Sequence, residues 1–382
     1  MELAPFLDTA GELLAVPSTA DRPADLRRAL DLVIDFVGSG FVVERFESNG
    51  KPSALIYPRA ASAAGRPDLR PPAAGRPEFR VILNAHLDVV PAGPAQFQPR
   101  RVGDRLYARG AHDMKVTALA QAAVFRAVAN DLPFPVALQL VTDEEVGGHD
   151  GTLHQLERGV TGRFVVIGEQ SGLEIVTESK GLLHARLRAS GRTAHSAYPW
   201  QGENALVTLM RGIDGLLTRY PMPAQELWRT TINVARIDTP NRVFNQVPAE
   251  AWAWLDIRYP ADDADLHGRT AAEIAAYLRG LCGPGVVVEV DRMDPPHHVD
   301  PDRSEVRHLQ RAARRQGYPA GFLRKHGSGD GRFYSQRGID AVVFGIGGAG
   351  QHGPREYADI TTIPPYHRAL TDFLLSLDGP AA

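Results

Sequence analysis

Residues 81–90 read VILNAHLDVV, an apolar run that admits a histidine and an aspartate two positions apart at its far end. A short β-branched run of this kind is the pattern of a strand buried on both faces in a parallel sheet. His86 and Asp88 then stand at its carboxyl end, where open α/β sheets gather their ligands. Residues two apart on a strand face the same side. Asp88 can therefore accept a hydrogen bond from one ring nitrogen of His86 and leave the other free for a metal.

Outward from this stretch, strand and helix alternate. The runs VILNAHLDVV, VALQLVTDEE and FVVIGE are separated by helical stretches such as MKVTALAQAAVFRAVAND, which predicts a mostly parallel sheet with helices on both faces. Residues 1–57 add an amphipathic helix near ADLRRALDLVIDFVGS and two strands, FVVERFE and SALIYP. Residues 58–79 interrupt them with AAGRP written twice among Pro, Gly and Arg, a solvated loop insertion by composition. Between 182 and 293 the pattern becomes β-α-β-β-α-β, with strands LLHARLRASG, TTINVARID, AWAWLDIRY and GVVVEVDRM. That order is ferredoxin-like. The expected organisation is a catalytic domain in two parts, 1–181 and 294–382, with a ferredoxin-like α+β domain inserted at 182–293.

Composition narrows the function classes. The 382 residues carry 43% hydrophobic residues, enough for two cores, and a net charge of −3 that offers no basic excess for nucleic acid or an anionic membrane. A small molecule is the expected partner. Cys282 is the only cysteine, so a metal would be held by nitrogen and oxygen. The beginning MELAPFLDTAGELLAVPS has no basic start followed by an apolar core, and no stretch reaches about 18 apolar residues. The expectation is a soluble cytoplasmic protein.

Further polar clusters follow the first. ARGAHDMK places Asp113 in a loop before a long helix, VTDEEVGG places Glu144 and Glu145 after a strand, and IGEQ does the same for Glu169. A last strand, VVFGIGGAGQ, delivers His352. The five strand ends are expected at one edge of the sheet. Neighbouring residues of extended backbone point opposite ways, so of Glu144 and Glu145 one can bind a metal while the other faces its water.

Taken with GRTAHSAYP, NQVP, LDIRYP, SGDGRF and GQHGPREY, these motifs resemble the zinc aminoacylase and carboxypeptidase family that includes acetylornithine deacetylase and succinyl-diaminopimelate desuccinylase. The resemblance covers nearly the whole chain. It implies two zinc ions, with Co2+ or Mn2+ as substitutes, bridged by Asp113. His86 and Glu169 would complete one site, and Glu145 and His352 the other. Asp88 would orient His86, Glu144 would be the general base, and His195 would stabilise an oxyanion, often from a neighbouring subunit. Asn245 and Arg258 resemble the substrate-contacting pair, with Arg258 holding a carboxylate, and Ser328 and Asp330 are polar candidates in SGDGRF. A homodimer through the inserted domain is a further implication.

The resemblance implies hydrolysis of an N-acyl amino acid, or else of a short peptide. Desuccinylases tend to carry paired arginines where this chain reads ESKGLL with only Lys180, which argues against succinyl-diaminopimelate as substrate. A binding protein that retains the fold is the reading from another class, but all ligands and the base are present. The sequence also carries GIGGAG at 345–350, a G-x-G-x-x-G that would bind a dinucleotide only if it opened a helix. QHGPREYADITTIPP follows instead, so its glycines read as allowing close backbone approach, with substrate one candidate. His297 and His298, on a Pro-rich loop, are expected in solvent. His112 stands where the family pattern has a small or hydroxyl residue.

Overall fold

The structure, a computed structural model, describes residues 1–59 and 76–377. The insertion expected at 58–79 therefore lies, over 60–75, outside the described residues. By its internal contacts the chain divides into a unit of Met1–Thr177, His298–Arg324 and Gly329 onward, and a second of Glu178–His297 and Lys325–Ser328.

In the first unit the strands Val81–His86, Val136–Val141, Phe164–Ile167 and Asp340–Val343 run parallel, with Val81–His86 between Val136–Val141 and Phe164–Ile167. The hairpin Phe41–Ser48 and Lys51–Pro58 adds antiparallel strands beyond Val136–Val141. Each parallel strand is buried on both sides, and its residues alternate between two cores. Val81, Leu83 and Ala85 enter the larger core, which is covered by the helices Leu3–Leu14, Pro23–Val37, Lys115–Val128, Ser304–Arg315 and Ile363–Ser376. Ile82 enters the smaller core with Leu156, Phe333 and Tyr334, residues of the short helices His154–Glu157 and Gly331–Ser335. Helices thus cover both faces, but the long ones are on one side only. The helix Lys115–Val128 is buried almost all round, which is why its sequence is Ala-rich and only weakly amphipathic.

Register places the polar residues. His86 is level with Val141, and Asn84 with Ile167, so the chain leaving each of the three strands emerges at one edge. Glu144–Glu145 and Glu169 follow within a few residues. A separate small sheet, Gly348–Ala349, Tyr357–Asp359, Arg105–Tyr107 and Arg100–Val102, sets Tyr357 opposite Tyr107. Asp113 and His352 hang from loops framed by this small sheet, which corrects the expectation of five main-sheet strand ends. The strand Asp340–Val343 stops nine residues short of His352, and beyond it Gly345 lies against the Glu169 backbone, where a Cβ would sit 2.3 Å from its carbonyl oxygen.

The second unit is an antiparallel sheet in the order Thr231–Asp238, Glu250–Tyr259, Gly181–Ser190, Val286–Asp294, with the helices Ala205–Arg219 and Ala271–Cys282 packed in its core. This is the ferredoxin-like strand order. Thr270 and Glu273 form a reciprocal capping box that starts the second helix. His297 and His298 form a short strand, so they alternate, and His297 is buried while His298 is exposed. The expectation of solvent for both is corrected by that alternation.

Candidate metal centre

Asp113 is buried at the edge where these loops converge. Its Oδ1 lies 3.0 Å from Nε2 of His86, and its Oδ2 lies 3.2 Å from Nε2 of His352. The same His352 nitrogen is 3.1 Å from Glu145. Donor atoms of His86, Asp113 and Glu145 all lie within 4.8 Å of one another, as do those of His86, Glu144 and Glu169. The structure therefore brings together all five residues expected as ligands, and the expected base with them.

The electrostatics fit cations at this place. Glu144 is raised well above the ordinary carboxylate range, first by burial and then by the charge of Glu169. Glu145 is pushed up to about 7 by burial, with Asp113 adding to it and His86 opposing. Burial works against charge on Asp113 too, but hydrogen bonds from His352 and His86 hold its carboxyl low. Four carboxylates and two imidazoles sharing one pocket leave an excess of negative charge that a pair of divalent ions would neutralise. The donors are nitrogen and oxygen only, with open positions, as catalytic zinc and its neighbours in the transition series use.

Asp88 contacts His86 and has a further role. Nδ1 of His86 is 3.0 Å from the main-chain carbonyl oxygen of Asp88, and the carboxylate oxygen is farther, at 3.4 Å. The fully buried carboxylate also accepts the backbone N–H groups of Glu144, at 3.2 Å, and Glu145, at 3.0 Å. These residues form a single 3-10 turn and not extended chain. Within this turn, held by Asp88, Glu144 meets His86 and Glu169, while Glu145 meets Asp113 and His352. The turn is braced from below by SGDGRF: Asp330 is buried, accepts a hydrogen bond from Thr152, and touches Gly148, while Arg332 donates to the Gly147 carbonyl at 2.6 Å. Burial pushes Asp330 up to about 6. Its position under the turn makes it a support.

Three residues escaped the sequence reading. Gln351 donates from Nε2 to Oδ2 of Asp113, and the buried Arg109 and Glu356 pair with each other beside it. All three sit in quoted motifs, ARGAHDMK and GQHGPREY, but no spacing rule joins residues 247 apart. His112 packs its ring against Gly348, where a Cβ would meet it at 2.6 Å. The glycines of GIGGAG thus admit the protein's own backbone and side chains. No helix opens there, since 351–356 are turn and loop.

The remaining candidates belong to the second unit. His195 is exposed, accepts the Ala197 N–H at 3.1 Å, and forms an isolated bridge with Gln246, next to the exposed Asn245. These two loops are brought together. Arg258 lies on the outward face of its strand with Asp256, and grips it through Nε at 2.6 Å and Nη2 at 3.0 Å. Residues two apart on a strand share a face, so its partner in this structure is that aspartate. Ser328 is half-buried in the segment Lys325–Ser328.

Comparison with known proteins agrees with this architecture. The model for peptidase family M20/M25/M40 matches residues 82–376. A protein named probable carboxypeptidase from Aspergillus terreus (strain NIH 2624 / FGSC A1156) is 30% identical over 287 residues, 68% of this chain; the match spans 62% of that relative's length. A succinyl-diaminopimelate desuccinylase from Granulibacter bethesdensis is 29% identical over 327 residues, 77% of this chain and 82% of the relative. Among solved structures, aminopeptidase PepT from Bacillus cereus ATCC 10987 superposes with a TM-score of 0.76 at 16% identity, over 98% of both chains, a likeness of fold.

Proposed function

The chain belongs to peptidase family M20/M25/M40, and from that premise we propose that it is a dinuclear zinc amidohydrolase cleaving the amide bond of an N-acyl amino acid. One observation carries the reading: a single buried carboxylate, Asp113, turns one oxygen to His86 and the other to His352, at 3.0 and 3.2 Å. A bridging ligand needs that disposition. His86 and Glu169 would hold one ion, and Glu145 and His352 the other, with Co2+ or Mn2+ able to replace zinc. Bound there, the ions would lower the pKa of a water and polarise the scissile carbonyl.

Glu144 would take the proton of that water and deliver it to the leaving nitrogen. Asp88 holds the turn that aims Glu144, so base and ligand positions are set by one buried carboxylate. His195 would stabilise the developing oxyanion, from this chain or from the second subunit of a homodimer. Asn245 and Ser328 would contact substrate, and Arg258 would exchange Asp256 for a substrate carboxylate, which its forked donors suit. Lys180 argues against succinyl-diaminopimelate as substrate, since its side chain is buried and donates to the Arg229 carbonyl at 2.5 Å. Cleavage of short peptides is the second reading, favoured by the carboxypeptidase name of the Aspergillus relative. The proposed location is the cytoplasm.

Elemental analysis of the purified protein, with release assays on N-acetyl, N-succinyl and dipeptide substrates, tests the proposal. Near two metals per chain and metal-dependent release of an acyl group support it. Release only from dipeptides moves the assignment to the peptidase reading. No metal after zinc addition, and no turnover, would sink both.

A further inference from the structure

We propose that Arg109 and Glu356 are positioning residues that set the distance between the bridging carboxylate and the second metal's histidine. The inference rests on the dinuclear reading above. Pairing of Tyr357 with Tyr107 lays the two chain segments side by side and brings Glu356 against the loop 109–113. Both side chains are buried, Arg109 with 3% and Glu356 with 2% of its surface exposed. Oε1 of Glu356 accepts the backbone N–H of His112 at 3.0 Å and that of Asp113 at 3.1 Å. Its Oε2 takes Nη1 of Arg109. The other arm of the guanidinium, Nη2, donates to the main-chain carbonyl of His352 at 2.9 Å.

One ion pair therefore ties the backbone of Asp113 to the backbone of His352. His352 needs the tie, because its φ of 59° lies in the left-handed region that non-glycine residues adopt at a cost. A carboxylate buried this deeply is stable only when its acceptor sites are filled, and here two amides and a guanidinium fill them. The polar contacts of the two side chains run to each other and to backbone, with only Nε of Arg109 unpaired. Their work is geometric, on Asp113 and His352, and through these on the site formed with Glu145.

The test compares metal-stripped full-length wild type, Glu356→Gln, Arg109→Lys and Glu305→Gln by chelator-competition titration with Co2+ and Zn2+, reading the Co2+ absorption bands as well. Glu305 pairs with Arg80 at 2.7 Å, away from the pocket ligands, with side chains somewhat less buried (10% exposed for Glu305 and 11% for Arg80), and serves as the control for a merely structural loss. The expected result is a roughly 10–100-fold weakening of one of the two sites in Glu356→Gln and Arg109→Lys, with changed Co2+ bands. Glu305→Gln should bind both ions within about twofold of wild type. Arg109→Lys keeps the charge opposite Glu356 and loses the second arm, so it reports even where Glu356→Gln does not fold. Wild-type affinities in both variants, or equal weakening in the control, overturn the inference alone. Wild type that binds no metal overturns the dinuclear reading, and the inference with it.

Discussion

Replacing Asp88 by Asn tests whether this carboxylate organises the turn that carries Glu144 and Glu145. Asp88 accepts two backbone N–H groups, at 3.2 and 3.0 Å, from a fully buried position. Asn has one acceptor oxygen, so it can serve one amide and must turn its NH2 group toward the other. The loss is one charge-assisted hydrogen bond, about 1.5–3 kcal/mol, and one buried donor left facing a donor, about 1–3 kcal/mol. The variant should thus be about 2.5–6 kcal/mol less stable without metal, and the loosened turn should weaken metal binding about 10–100-fold. Urea denaturation of the metal-stripped protein measures the first quantity, and chelator competition the second. A stability change under about 1 kcal/mol with unchanged metal affinity would show that Asp88 does not hold the turn. A role confined to His86 would be refuted by loss of the base as well, seen as a fall in kcat at saturating metal.

Other expectations separate the roles of the pocket residues. Glu144→Ala should retain close to two metals while kcat falls about 10²–10⁴-fold, the usual contribution of a general base; equal loss of metal would make it a ligand. His352→Ala should lower metal content toward one ion per chain by elemental analysis, whereas two tightly held ions would remove it from the ligand set. His195→Ala should depress kcat with metal content unchanged, and an unaltered rate would take it out of the reaction. Acid should also weaken the fold through Glu305: burial raises its carboxyl, but the bonds from Arg80 and Ser304 outweigh that and hold it below its ordinary 4.5. A carboxyl depressed in the folded state adds stability above its unfolded value and loses it as pH falls through the folded one. Denaturation below pH 4.5 should therefore be shallower with pH in Glu305→Gln than in wild type; identical slopes would refute the coupling.

His86, Glu144, Glu145 and Glu169 were legible because they follow short apolar runs, and an apolar run buried on both faces has to end where its polar residues meet solvent or a ligand. The ferredoxin-like unit was legible from the alternation of AWAWLDIRY, whose buried residues, Ala251, Ala253, Leu255, Ile257 and Tyr259, occupy every second place. That alternation also put Arg258 and Asp256 on one face, yet which of Asp256 or a ligand takes the guanidinium is a matter of contact. Asp113 and His352 were recognised by their neighbours in the chain, but the small sheet that suspends them was not, since its strands have two or three residues, too few for a period. The second role of Asp88 and the Arg109–Glu356 tie had no local signal. Periodicity records which side chains a segment must bury, and so the sequence by itself determined the sheet and the inserted unit, while its motifs named the residues that meet in the pocket. Which carboxylate holds which amide depends on distances between segments remote in the chain, and only tertiary packing decides those.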